Sequence, residues 1–273
     1  MQETENYHFI QSQTTHPIHG KLADLLLPCG TKVTIREQNG NDDDVISSPG
    51  SDKDLSLPLN KFIAGLILKH DFNFKSKEVI TMKEVLDIPL RSKYFILLAS
   101  RIFSISPTIK FRWDWKNGKP PVAYEEDLTV YLWDYNRDFP SEMDPDYFSE
   151  RIQPYPPSNF DKYRELELSS GKKIRYKYLD GHGENYLLGL SENERAINSP
   201  LKARELNIWL EGDWSPVTNF KDFKNYEMSE IRRDIDINDK PFDGFTNITN
   251  PYNGEALQIP LLSIPDFFFP REI

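Results

Sequence analysis

The chain has one cysteine, Cys29, in 273 residues. A single thiol closes no intramolecular disulfide and supplies no multi-cysteine metal site, so a disulfide-stapled scaffold is excluded. Its place in the hairpin approach predicts a buried or half-buried, inert thiol. Long apolar runs are also missing. Residues 62–68 form the longest, far short of the roughly 20 residues that a membrane span needs. Positive charge is scarce: 33 Lys and Arg stand against 43 Asp and Glu, for a net charge of −10. That balance repels a phosphate backbone, and no Lys/Arg cluster offsets it, so neither nucleic acid nor membrane is an expected partner. Lys172, Lys173, Arg175 and Lys177 alternate and are expected largely on the solvent side of a strand. The opening MQETENYHF has no charged region followed by an apolar one, so no signal peptide is expected.

What is present suffices for a core. Hydrophobic residues make up 38% and aromatics 13% of the chain, above the range of disordered sequences. Twenty prolines against thirteen glycines predict many extended segments with sharp stops, hence an α+β fold with much irregular structure.

One segment returns ungapped. Residues 27–46 read LPCGTKVTIREQNGNDDDVI, and 141 positions later residues 168–187 read LSSGKKIRYKYLDGHGENYL. Leu27/Leu168, Gly30/Gly171, Lys32/Lys173 and Gly40/Gly181 are identical. Val33/Ile174, Arg36/Lys177, Asn39/Asp180 and Asp43/Glu184 keep their type. Glycines around alternating apolar residues predict a β-hairpin in each copy, over 31–46 and 172–190. Asn117-Gly118 and Asn253-Gly254 are turn signals 136 positions apart, and Phe139-Pro140 and Phe269-Pro270 close the two stretches alike. The expected architecture is two tandem related α+β units, 1–157 and 158–273. Each has a hairpin, helices and a second hairpin with an Asn-Gly turn.

Between these marks, residues 1–26 read as a lead-in and 59–68 as a helix with one buried face. Thr81 and Glu84 have capping-box spacing. Asp87 is a candidate N-cap for a helix running to Ser104 with one apolar face, Pro89 falling in its first turn. IKFRWDW and VAYEEDLTVYLW read as paired strands, residues 136–162 as a Pro-rich linker, NIWLEGDWSPV as a hairpin and 225–237 as a helix.

Motifs that could carry chemistry are sparse. His16 and His19 have H-x-x-H spacing but no third ligand nearby. His182 lies in Asp180-Gly-His-Gly183, read as a hairpin turn because a strand is expected after it. Asp42-Asp43-Asp44, read as a solvated loop, lacks the spacing of a calcium loop, and Glu125-Glu126-Asp127 is the other dense acidic run. No serine stands in a nucleophile elbow. No catalytic residue, cofactor or metal site is therefore expected. The tail Phe267-Phe268-Phe269 is the candidate interface. Read as a strand, it is either sandwiched within the second unit or docked on another subunit.

The run LPCGTKVTIREQNGNDDDVIS resembles the N-terminal signature of baseplate hub and hub-assembly proteins of T-even-like and other tailed bacteriophages. LRSKYFILLASRIFS and IPLLSIPDFFFP follow in the family's order. Many relatives carry a C-x-x-C-G knuckle where this chain has Asp114-Trp115-Lys116-Asn117-Gly118, so the metal the relatives imply is not expected here. The resemblance implies a non-enzymatic structural component of a baseplate or tail hub, located in the virion and in the host cytoplasm during assembly. Its partners would be other tail and baseplate proteins, with oligomers formed only within the particle. A transient cytoplasmic assembly chaperone is the alternative. A tail-associated hydrolase is a weaker one, since it needs a carboxylate pair in a cleft or a metal site.

Overall fold

The computed structural model describes residues 10–48, 57–76, 79–132, 163–239 and 244–269. Strands β1 (Ile10–His16), β2 (Gly20–Leu26), β3 (Lys32–Arg36) and β4 (Ile67–His70) form an antiparallel sheet in that order. The expected lead-in is thus a hairpin. IQSQTTH has no apolar alternation, and only Ala23 and Leu25 of β2 turn inward to the core. His16 and His19 stand at its tip with rings 4.9 Å apart.

The repeated segment folds differently from its expected hairpin. The β2–β3 turn lies at residues 27–31, before the expected span. Leu27 N–H donates to Thr31 O (2.9 Å), Gly30 N–H to Leu27 O (2.8 Å), and Gly30 takes φ +80°. Asn39-Gly40 is not a turn between strands but the start of helix α1 (Gly40–Ser47), with Asn39 and Asp42 forming a capping box. The Asp42–Asp44 run therefore belongs to a helical turn, not a loop. Arg36 fixes that outcome: it holds the Asp42 carboxylate through both terminal nitrogens (2.8 and 2.7 Å) and donates Nε–H to Gly65 O (2.9 Å). Gly65 belongs to α2 (Leu57–Leu66), which gives way to β4 at residue 67.

Thr81 and Glu84 cap α3 (Met82–Val85) reciprocally, as expected. The long helix α4 (Leu90–Ser104) starts after Pro89 rather than after Asp87, whose N–H still donates to Glu84 O in the preceding turn. Its apolar stripe is wider than one face: Phe95, Ile96, Leu97, Leu98, Ala99 and Ile102 are all buried, so α4 is a central helix. Strands β5 (Thr108–Trp113) and β6 (Val122–Asp127) pair around Asn117-Gly118. The second strand stops earlier than expected, because Asp127 Oδ1 accepts from Thr129 N–H (2.9 Å) and opens the helical turn α5 (Thr129–Leu132).

A second four-stranded sheet follows from residue 163. Strands β7 (Tyr163–Glu167), β8 (Lys173–Lys177), β9 (Asn207–Leu210) and β10 (Asp213–Pro216) form a sheet ordered β10-β9-β8-β7. Between β7 and β8, Leu168 N–H donates to Lys172 O (2.9 Å), Gly171 N–H to Leu168 O (2.8 Å), and Gly171 takes φ +82°. Asp180 caps helix α6 (Gly181–Leu188), accepting from Gly183 N–H (3.0 Å). The hairpin expected at 172–190 is therefore a strand and a helix, and His182 lies in the first helical turn. Helix α7 (Ser199–Ala203) precedes β9, and α8 (Asn225–Asn238) buries Met228, Ile231 and Ile235. Strands β11 (Phe245–Thr249) and β12 (Ala256–Pro260) pair around Asn253-Gly254.

The tail is a short helix, α9 (Pro265–Phe268), not a strand. It does not pack within the second half. Ile248, Ile259, Leu261, Ile264 and Phe267 join the core cluster built by Leu25, Ile35, Phe62, Ile96 and Phe111. A second cluster holds Leu168, Ile174, Tyr176, Leu206, Met228 and Ile231. Cys29 is buried, as expected. The expected unit boundary at 157/158, the linker at 136–162 and Phe139-Pro140 lie outside the described residues. The described chain is an α+β protein of small antiparallel sheets.

Candidate interface surfaces

Three places join or expose side chains in ways the sequence reading did not foresee. The first is the joint between the two core clusters. Gly181 N–H donates to Leu86 O (2.9 Å) and Leu90 N–H to Leu179 O (2.8 Å), flanking an isolated bridge between Pro89 and Asp180. Glu184 accepts from Tyr94 OH (2.8 Å) and faces Lys93 Nζ (3.4 Å), a lysine 2% exposed. Burial, and then the Glu184 charge, push the Tyr94 phenol well above its ordinary range. Gly181 and Gly183 are there for space. A Cβ on Gly181 would lie 2.8 Å from the Leu86 side chain, and one on Gly183 2.8 Å from Ala203 O. The glycines in the first turn of this helix therefore serve close main-chain contact with Leu86 and Ala203.

The second is the tail. Phe267 is 1% exposed, whereas Phe268 and Phe269 are half-buried. Phe268 meets Phe62 edge-on at 6.1 Å. Phe268 and Phe269 line a groove of about 410 Å³ with Gln38, Asn39, Asp43 and Ile105. Of the three expected interface residues, one belongs to the chain's own core and two border a surface.

The third lies on the solvent face of the second sheet. The Arg175 guanidinium sits over the Tyr163 ring on one side (4.4 Å) and the Trp214 ring on the other (4.7 Å). Trp214 meets Trp209 edge-on at 5.1 Å, and Trp209 is 42% and Leu210 51% exposed. A row of Tyr, Arg and Trp held in fixed orientations has the composition of interface hot spots. Beside it runs a groove of about 620 Å³, lined by Tyr163, Lys202, Glu205, Asn207 and Pro216 among others. Glu205, with φ +49°, accepts from Tyr163 OH (3.0 Å) and faces Lys177 (3.3 Å), which also pairs with Asp180 (2.6 Å). Burial lowers the Lys177 pKa, but the bond and charge of Asp180, with Glu205 behind, outweigh it and hold the ammonium above its usual range. Lys177 is thus buried in an ion-pair network rather than solvated as expected.

This row was within reach of sequence reasoning. A two-residue Glu211-Gly212 turn, both at positive φ, sets Trp209 directly opposite Trp214, so NIWLEGDW spells a tryptophan pair.

Among the described residues, no group of three or more His, Cys, Asp or Glu side chains is arranged to hold a metal, and no helix is long and apolar enough to cross a membrane. Comparison of the chain with protein-family models, curated proteins and solved structures finds no match.

Proposed function

We propose that this protein is a structural, non-catalytic component of a tailed-phage baseplate or tail hub, working by bridging neighbouring subunits. The observation that carries the reading is the run LPCGTKVTIREQNGNDDDVIS, with its resemblance to hub and hub-assembly proteins. Its recurrence supports a bridging role. We infer that β2–β3–α1–α2–β4 and β7–β8–α6–α7–β9 are copies of one unit. The matching turn bonds at Leu27/Leu168 and Gly30/Gly171, and the helix caps at Asn39 and Asp180, support that relation. Two related units in one chain offer two similar surfaces, which suits an assembly where parts of different rotational symmetry meet. The Tyr163–Arg175–Trp214–Trp209 row is the surface best suited to a protein partner.

The test is quantitative mass spectrometry of gradient-purified virions, scaled to a tail-tube protein. A small integral copy number is the expected result. Absence from particles together with abundance in the infected lysate would replace a built-in component by a transient assembly chaperone. A Trp209→Asp variant should fold normally and be under-represented in particles; full incorporation would remove this face from the bridge.

A further inference from the structure

Three Asn-Gly steps occur among the described residues, at Asn39, Asn117 and Asn253. Sequence gives them one chemistry: the glycine amide, unhindered by a side chain, can attack the asparagine carboxamide. The fold gives them three environments. We propose that Asn117 is a site of spontaneous, time-dependent conversion to aspartate and isoaspartate, and that the fold shields the other two.

The step is a ring closure. The Gly118 amide nitrogen, having lost its proton to solvent base, attacks Asn117 Cγ. A C–N bond forms, the carboxamide nitrogen leaves as ammonia, and a succinimide remains. Water then opens the ring at either carbonyl, giving aspartate or isoaspartate. The rate therefore depends on whether the glycine N–H is free to ionise, which charges surround it, and whether the main chain can turn.

At Asn117 all three favour reaction. Residues 116–119 are exposed, and among the described residues no hydrogen bond holds the Gly118 N–H. Lys116 and Lys119 flank the site. Lys116 is shared with Asp114 (2.9 Å), while Lys119 has no acidic partner among the described residues. A nearby cation stabilises the amide anion and the oxyanion that follows. Lys116 already sits at φ +54°, an uncommon conformation for a side chain with a Cβ. The one restraint among the described residues is the Asn117 Oδ1 bond from Lys119 N–H (3.1 Å), which is exposed.

At Asn253 the nucleophile is tied down. Gly254 N–H donates to Asn250 O (2.8 Å), and the neighbouring charge is the Glu255 carboxylate, 3.4 Å from Asn253 Nδ2. An anion beside the site opposes loss of the amide proton. At Asn39 the main chain is locked. Its N–H donates to Asp42 Oδ2 (2.8 Å), its Oδ1 accepts from Asn41 N–H (3.0 Å), and Arg36 clamps Asp42 behind them. Ring closure there requires the first turn of α1 to unwind.

An isoaspartate at position 117 adds a methylene to the main chain of the β5–β6 turn. That hairpin holds β11–β12 through Tyr124 OH to Thr249 O (2.9 Å) and Thr246 Oγ1 to Glu126 (2.7 Å). Conversion would thus loosen the place where the chain's end meets its first half.

The experiment incubates the purified full-length chain at mildly alkaline pH and maps peptides by mass spectrometry with isoaspartate detection, native and in denaturant. The expected native result is conversion at Asn117 roughly tenfold or more faster than at Asn253 or Asn39, a barrier difference of about 1.4 kcal/mol or more. In denaturant the three rates should draw closer, leaving the difference that the flanking Lys and Glu charges impose. Lys119→Glu should slow Asn117, and Glu255→Lys should speed Asn253, neither residue being part of a core. Equal native rates at Asn117 and Asn253, or native rate ratios that denaturant leaves unchanged, would overturn the assignment.

Discussion

Gly181 gives its main-chain N–H to the carbonyl of Leu86 at 2.9 Å, and the space for that bond exists only because residue 181 has no Cβ. The contact joins the first turn of α6 to the α3–α4 corner, so the two core clusters meet main chain to main chain. A joint of this kind resists sliding more than side-chain contacts alone. Gly181→Ala should therefore destabilise the protein by about 1–3 kcal/mol through overpacking. Calorimetry should show the melting transition broadening or splitting as the two core clusters uncouple. An unchanged melting profile would mean that Leu86 yields and the joint is soft.

Phe267 and Phe269 are two positions apart yet should behave differently. Phe267→Ala removes a ring that is 1% exposed beside Leu261 and Ile264 and should cost about 3–5 kcal/mol. Phe269→Ala removes a half-buried ring at a groove rim and should cost well under half of that. Urea denaturation of both variants checks the contrast. Equal costs would refute the helical placement of the tail.

Arg101 is 2% exposed, yet among the described residues its side chain makes one hydrogen bond, Nη1 to Ser106 O (2.9 Å), and its Nε finds no partner. No carboxylate lies within ion-pairing distance among the described residues, and burial lowers its pKa to about 10. A buried, uncompensated cation is a stability cost. Arg101→Met, similar in length and apolar, should be neutral or stabilising by about 1–4 kcal/mol. A loss of several kcal/mol in the urea midpoint analysis would instead reveal an unrecognised anionic partner.

Glu227 links pH to the second core. The Ser170 hydroxyl, the Lys224 N–H (2.7 Å) and Lys172 (3.1 Å) hold its carboxylate at a pKa of about 2, against 4.5 unperturbed. Because the folded value is depressed, the stabilisation is fully present above the unfolded pKa and is lost as pH falls from about 4.5 towards 2. Glu227→Gln should flatten the acid limb of a stability-versus-pH curve while lowering stability at neutral pH. An acid limb of unchanged slope would show that other carboxylates carry it.

Much of the architecture was readable because its signals are local. The capping box at Thr81 and Glu84, the Asn-Gly hairpins and the Glu211-Gly212 hairpin each depend on residues within a turn's length. Asn39-Gly40 misled because asparagine followed by glycine suits both a hairpin turn and a helix start. The choice was made by Asp42 bonding back to the Asn39 N–H and by Arg36 holding that carboxylate. Asp180-Gly181 misled in a similar way, and there Lys177 pairs with the capping carboxylate of Asp180 itself.

The sequence by itself determined the α+β class, the hairpins around Asn117-Gly118, Glu211-Gly212 and Asn253-Gly254, and so the two strands that put Trp209 opposite Trp214. Each follows from backbone preferences or alternation that act over a few residues. Tertiary structure alone decided that the tail completes the first core, that α4 is buried nearly all round and that Gly181 touches Leu86. It also decided that three identical Asn-Gly steps meet three different sets of hydrogen bonds. Those outcomes depend on groups far apart in the chain competing for the same space and the same hydrogen bonds, and no local pattern encodes which of them wins.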